Sequence, residues 1–244
     1  MQHCVKHEQC PKCAELGNDK SSDNLAVYSD GSTYCFRCGY FETAKGLQNL
    51  KERVFTSKPR IVLPQDVSEQ LPKKCWDFLG QYSLTKNDTL VNTVLWSEHF
   101  DRLIFPYFND TGLWGWQGRY LGHDKKAKWY SQGDLKHQLH TLGNPRSKVC
   151  VIVEDIISAV KVSHCRMVTA SPLFGSTITT KRLLQLKKKY SKILIWLDDD
   201  MKSKSAKFCY NSQSLGLDSS CIFTKQDPKC YNDAEITEII QCKL

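Results

Sequence analysis

Four cysteines stand at a spacing that suits a metal ion. Cys10-Pro-Lys-Cys13 and, after twenty-one residues, Cys35-Phe-Arg-Cys38 are two Cys-x-x-Cys turns. Each turn presents two thiolates, and a pair of turns closes a tetrahedron of soft ligands around zinc. Four protein ligands predict one structural ion with no open catalytic position. His3, Cys4 and His7 lie nearby but outside a tetrahedron that is already filled. Acids gather at two other places. Val149-Cys-Val-Ile-Val153 runs into Glu154 and Asp155, and Ile193-Leu-Ile-Trp-Leu197 runs into Asp198, Asp199 and Asp200. If the two apolar runs are neighbouring parallel strands, Glu154 and Asp198 converge at the carboxyl edge of a sheet, where α/β folds bind ligands. Asp200, two residues on, points the same way in extended chain. Carboxylates so gathered need cations. Hard oxygen donors suit magnesium, and two such ions would activate a hydroxyl and stabilise a leaving pyrophosphate.

Between the cysteines and the acids lie Arg119, Lys125, Lys126, Lys128, Lys136 and Arg146, interleaved with Tyr120, Trp129 and Tyr130. Cations mixed with aromatic rings fit phosphates and stacked bases. Lys125 and Lys126 read equally as a solvated turn. Lys187 to Lys189 stand at a helix end, where cations are favoured anyway, and are assigned no site. In the cysteine-rich segment Tyr34, Phe36, Arg37 and Tyr40 either stack on bases or fill a small core.

The elements that must position these residues divide the chain in three. Residues 1–46 are polar and turn-rich, with strand-like Leu25-Ala-Val-Tyr28 and Thr33-Tyr34 around Ser29-Asp-Gly-Ser32; they read as a small β zinc ribbon. Residues 47–65 lack periodicity and end around Pro59 and Pro64, as a linker with at most one helical turn does. Residues 66–147 form an α+β subdomain: a helical stretch over 66–100, from Leu71, Cys75, Phe78 and Leu79, then a hairpin. Its strands are Leu103 to Phe108 and Leu113 to Gln117, with a turn at Asn109 to Gly112. From 148 to 244 strands and helices alternate. Strands are expected at Val149–Val153, Met167–Ala170, Ile193–Leu197 and Ser220–Phe223. Helices are expected at Ile156–His164, Thr179–Tyr190, up to Leu215, and Asn232–Gln241. That order predicts an α/β domain with a mostly parallel sheet covered on both faces.

The composition agrees with a globular chain: 244 residues, 41% hydrophobic and 25% charged. No apolar run approaches the ~20 residues of a membrane span, and the start has no signal-peptide core. Twelve cysteines without an export signal point to a reducing compartment, the cytoplasm. The first 50 residues carry five Lys/Arg against six Asp/Glu, so the chain's net +8 is −1 there and +9 beyond, an excess that favours a polyanionic partner.

These residues resemble a known family. Arg102-Leu-Ile-Phe-Pro-Tyr, Gly115-Trp-Gln-Gly-Arg119-Tyr-Leu-Gly and Lys128-Trp-Tyr are similar to the segment preceding the catalytic fold of bacterial and phage primases. Val151-Ile-Val-Glu154 and Asp198-x-Asp200 resemble the two acidic motifs of the toprim (topoisomerase–primase) fold. Cys10, Cys13, Tyr28-Ser-Asp-Gly-Ser-Thr-Tyr-Cys35 and Cys38 resemble the zinc ribbon in the primase half of short-tailed phage primase-helicases. The three blocks keep the family order over nearly the whole chain. The resemblance implies a DNA-directed RNA primase that joins ribonucleoside triphosphates on single-stranded DNA with magnesium or manganese, its ribbon selecting the template. It implies Glu154 as acid/base or metal-linked carboxylate, Asp198 and Asp200 as metal ligands, Asp227 as a further acid, and Arg119 and Lys128 as contacts to phosphate or template.

Three positions depart from the family. Asp155 stands where glycine is usual, Ser158 where an acid is common, and Met201-Lys-Ser where a small turn follows. Asp155 either stands in for the missing acid or disturbs the turn. No Gly-x-x-x-x-Gly-Lys-Ser/Thr loop occurs, so a separate replicative helicase, with a DNA polymerase, is the implied partner in a bacteriophage-infected cytoplasm. A toprim nuclease or topoisomerase-like enzyme would share Glu154, Asp198 and Asp200. A non-catalytic DNA-binding protein would share the ribbon.

Overall fold

A computed structural model describes residues 3–17, 23–42, 61–88, 93–123 and 125–244. The expected linker lies mostly outside the described residues. Two compact units divide the chain, Met1–Arg60 and Ile61–Leu244.

The first unit is a four-stranded antiparallel sheet in sequential order: β1 (Cys4–Glu8), β2 (Leu25–Tyr28), β3 (Thr33–Cys35) and β4 (Phe41–Glu42). Helix α1 (Pro11–Glu15) opens with proline, whose fixed φ suits the first helical position. β1 is exposed along its whole length, so it carries no alternation, and the sequence gives no sign of it. The core is correspondingly small: Leu25 with Cys10, Cys13 and Cys35, and Tyr40 half-buried against them.

The second unit holds two five-stranded sheets. In the antiparallel one, β5 (Val67–Ser68), β6 (Leu95–Ser97), β7 (Arg102–Asn109), β8 (Gly112–Tyr120) and β9 (Trp129–Gly133) lie in sequential order. The expected hairpin is β7–β8. The helical reading of 66–100 holds only for α2 (Lys73–Gly80); strands β5 and β6 bracket it, each too short to show a period of two. Gly133, at φ +99°, faces Gly115 across β8–β9, and a Cβ at 133 would stand 2.5 Å from the Trp114 carbonyl oxygen and 2.7 Å from Gly115 Cα. Neither backbone atom can move aside. Gly133→Ala is therefore expected to cost about 2–3 kcal/mol through left-handed strain and overpacking, read as a lower urea midpoint.

The other sheet has the order β10-β12-β11-β13-β14, from β10 (Leu142–Gly143), β11 (Val149–Val153), β12 (Thr169–Pro172), β13 (Lys192–Ile195) and β14 (Asp218–Cys221). All neighbours are parallel except β10–β12. Helices α3 (Ile156–Ser163), α4 (Thr180–Lys189), α5 (Lys202–Ser214) and α6 (Asp233–Gln241) alternate with the strands, within a few residues of the expected bounds. The strands bury both faces. Val151, Val153, Leu194 and Trp196 turn one way, towards α3 and α6, and into a core shared with Leu103, Phe105 and Tyr107 of the antiparallel sheet. Cys150, Ile152, Ile193 and Ile195 turn the other way, onto Leu183, Leu186 and Phe208 of α4 and α5. The division expected at residues 147/148 leaves β10 on the other side from the sheet it joins, and the two sheets share that first core. Among the described residues no helix is long and apolar enough to cross a membrane.

Candidate functional site

In the first unit the four cysteine sulfurs lie within 4.8 Å of one another. Cys10 and Cys38 sulfurs are 3.6 Å apart, and those of Cys13 and Cys35 3.8 Å. A tetrahedron with zinc–sulfur bonds of about 2.3 Å has edges of about 3.8 Å, so the set fits zinc. Burial, then the neighbouring thiols of Cys38, Cys35 and Cys10, pushes the Cys13 thiol up to about 12; at Cys35 burial also raises the pKa, but the backbone N–H groups of Cys38 and Arg37, with the Cys10 and Cys38 thiols, bring it down to about 7. Phe36 is 64% exposed and packs edge-on to Tyr34, with Arg37 exposed beside it. Tyr40 turns inward, under the Lys12 ammonium. Of the four, Tyr34, Phe36 and Arg37 are on the surface, and Tyr40 packs on the core.

In the second unit the register of β11 and β13 pairs Ile152 with Ile195, so Glu154 and Asp198 both follow just past the carboxyl ends of neighbouring parallel strands and line the same cleft. β14 adds the segment that ends in Asp227 and Lys229. A cleft of about 370 Å³ at this edge is lined by Glu154, Asp155, Asp198, Asp227 and Lys229, and by Arg119, Lys128, Trp129, Phe78 and Tyr82. The structure therefore brings Glu154, Asp198, Asp227, Arg119 and Lys128 into one cleft. Asp200 is exposed on the 3-10 turn Asp199–Met201 and does not line it, though its charge bears on Glu154. Lys125 and Lys126 are exposed and outside the cleft, Lys126 lying 5.1 Å over the Tyr120 ring. Arg37 belongs to the other unit.

Asp155 does not disturb the turn. It is the N-cap of α3, its Oδ1 accepting from the Ser158 N–H at 2.8 Å, while Oδ2 takes the Lys229 ammonium at 2.9 Å. Ser158 is buried, its hydroxyl without a partner in the structure. Burial, then the charges of Asp155 and Asp200, raise the Glu154 pKa. Asp198 is pushed up to about 7, chiefly by burial and then by Glu154, Asp227 and Asp155, against the pull of Lys229. Arg119 lies between two rings, 5.3 Å from Phe78 and 5.3 Å from Trp129. Below it Arg102 donates to the carbonyls of Gly118, Lys128 and Ala127, fastening the basic segment to the hairpin. Lys229 is the functional candidate that sequence reasoning missed.

The carboxylates are more widely spread than a closed cage. Among the described residues, the cysteines are the only group of three or more possible ligands within 4.8 Å of one another. Asp198 Oδ1 is nevertheless buried without a partner. Hard oxygens, one of them orphaned, fit an ion that keeps several waters and completes its shell with phosphate, as magnesium does.

No protein-family model and no curated protein sequence matches this chain. Solved structures do. The zinc-binding and RNA polymerase domains of Aquifex aeolicus primase match at 16% identity over 97% of this chain and 78% of that one, with a TM-score of 0.50. The DnaG catalytic core matches at 14% identity over 70% of this chain and 73% of that one, with a TM-score of 0.51. The DnaG primase catalytic domain bound to ssDNA matches at 16% identity over 69% and 74% of the respective chains, with a TM-score of 0.50. At such identities the likeness is one of fold: a zinc-ribbon unit and a toprim-type α/β sheet.

Proposed function

We propose that this chain is a DNA-directed RNA primase, joining ribonucleotides on a single-stranded DNA template by metal-dependent nucleotidyl transfer. The observation that carries the reading is the meeting of Glu154, Asp198 and Asp227 with Arg119 and Lys128 in one cleft at the carboxyl edge of β11 and β13. Its fold is that of the primase structures above, one of them bound to ssDNA.

On this reading Asp198 and Asp227 would hold magnesium or manganese, which when bound neutralises the triphosphate and polarises the reacting phosphoryl group; Asp200, a further ligand by the resemblance, lies exposed outside the cleft. Arg119 and Lys128 hold phosphate oxygens, the guanidinium kept in place by its two flanking rings. The primer 3′-hydroxyl oxygen forms a bond to the α-phosphorus as the bond to pyrophosphate breaks. Glu154, with its raised pKa, is placed to take the hydroxyl proton. Tyr34, Phe36 and Arg37 offer template bases a stacking surface and a cation. A replicative helicase and a DNA polymerase as partners, in the cytoplasm of a phage-infected bacterium, are what the sequence resemblance implies.

The test is synthesis on single-stranded DNA of mixed sequence with labelled ribonucleotides and either metal. Short labelled oligoribonucleotides are expected. Binding of DNA without product would replace the enzyme by a DNA-binding protein, and cleavage of the template would replace the primase by a nuclease. Arg119→Ala is expected to raise the KM for ribonucleotides about 10-fold or more, since a charge-assisted hydrogen bond contributes roughly 1.5–3 kcal/mol. The kcat should change less.

A further inference from the structure

Lys229 follows Asp227 and Pro228 in a 3-10 turn, Pro228–Cys230, and no motif marks it. Its side chain is only 13% exposed. The ammonium lies 2.9 Å from Asp155 Oδ2, 2.9 Å from Asp227 Oδ2 and 3.5 Å from Asp198 Oδ2. An ammonium has three N–H donors and no acceptor, and here three carboxylates from three separate segments surround it. The pairing is anchored from behind, because the second oxygen of Asp155 is taken by the α3 backbone. A solvated surface lysine would make one such contact and exchange it freely.

Charge balance gives this arrangement a chemical meaning. Glu154, Asp155, Asp198 and Asp227 bring four negative charges to the cleft when ionised, enough for two divalent ions. With Lys229 among them the remaining three suit one. Asp198 shows the division directly: Oδ2 faces the ammonium, and Oδ1 is buried with no partner. We propose that Lys229 holds one of the two cation positions of this cluster permanently, so that the site takes a single divalent ion, at the Asp198 Oδ1 side. The inference rests on the nucleotidyl-transfer reading and specifies its metal requirement. Lys229 is on this view a positioning residue: it gathers Asp198 and Asp227 before the metal arrives.

The test is titration of the zinc-loaded chain with Mn²⁺ at pH 7.5 without nucleotide, free Mn²⁺ being read by electron paramagnetic resonance. Wild type and Lys229→Arg should each bind one Mn²⁺ outside the cysteine site. Lys229→Gln should bind a second, or bind the first at least 10-fold more tightly, and the melting temperature of the zinc-loaded variant should fall when no other divalent ion is added and recover with Mn²⁺ more than that of wild type. Wild type binding two ions of similar affinity would overturn the proposal, and does so even if Lys229→Gln does not fold. Lys229→Gln binding Mn²⁺ as wild type does would also overturn it, leaving Lys229 a structural peg. Asp198→Asn separates the two levels. If it binds Mn²⁺ like wild type, it is the metal site of the nucleotidyl-transfer reading that fails, whatever Lys229 does.

Discussion

Asp198→Asn is expected to abolish primer synthesis, by roughly 10²- to 10³-fold or more, while making the protein without magnesium or manganese more stable at pH 8. The two effects have one cause. Asp198 is buried at the edge of β13 among Glu154, Asp227 and Asp155, and its pKa is pushed up to about 7. A carboxyl whose folded pKa exceeds its unfolded one binds more protons folded than unfolded, so stability falls as pH rises between the two values. For Asp198 that window runs from the ordinary carboxylate range to about 7. Asparagine carries no charge to desolvate. Zinc-loaded and with no magnesium or manganese added, the mutant should therefore melt a few degrees above wild type at pH 8, given about 1–2 kcal/mol and a chain of this size, and the two should converge near pH 4. A mutant less stable than wild type at pH 8 would show that the Lys229 contact outweighs burial and repulsion.

Cys35→Ser has the second large effect, confined to the first unit. That unit has a core of one leucine, three cysteines and a half-buried tyrosine. Such a core cannot offset the conformational entropy of its residues. The metal must, and structural zinc supplies roughly 10–16 kcal/mol of apparent binding energy. Serine at 35 removes a fully buried ligand of the four-sulfur set. The expected result is loss of the single zinc by elemental analysis and loss of the β1–β4 signal in far-UV circular dichroism. The cooperative melt of residues 61–244, which have their own two cores, should persist. Primer synthesis should become indifferent to template sequence or disappear. Retention of zinc and of the dichroism would show that three cysteines suffice.

The parts of this protein that were legible in advance are those whose chemistry is local. Cys10, Cys13, Cys35 and Cys38 announce a metal because the ligand spacing is itself the turn geometry. Val149–Val153 and Ile193–Leu197 read as buried strands because both faces are apolar, and their trailing acids then meet by the ordinary rule of parallel sheets. Lys229 was not legible. In Gln226-Asp-Pro-Lys-Cys230 it looks like any lysine of an exposed turn, and its partners lie 2, 31 and 74 residues away, united only when β14 docks beside β13. Asp155 looked like a departure for the same reason: its capping of α3 is local, but its ion pair is not. Strand β1 has no buried face to impose a period, and β5 and β6 are too short to show one, so 66–100 read as more helical than it is.

Arg102 carries a last consequence. Its guanidinium is buried under the hairpin and spends its donors on the carbonyls of Gly118, Ala127 and Lys128, so the backbone that carries Lys128 is fixed before any polyanion arrives. A strand of nucleic acid closing on it forfeits little further freedom, and preorganisation of that kind lengthens the residence time of a complex more than it speeds the encounter. On the primase reading, slow release would let a template stay seated through successive additions, a form of processivity supplied by a residue that need never touch the nucleic acid.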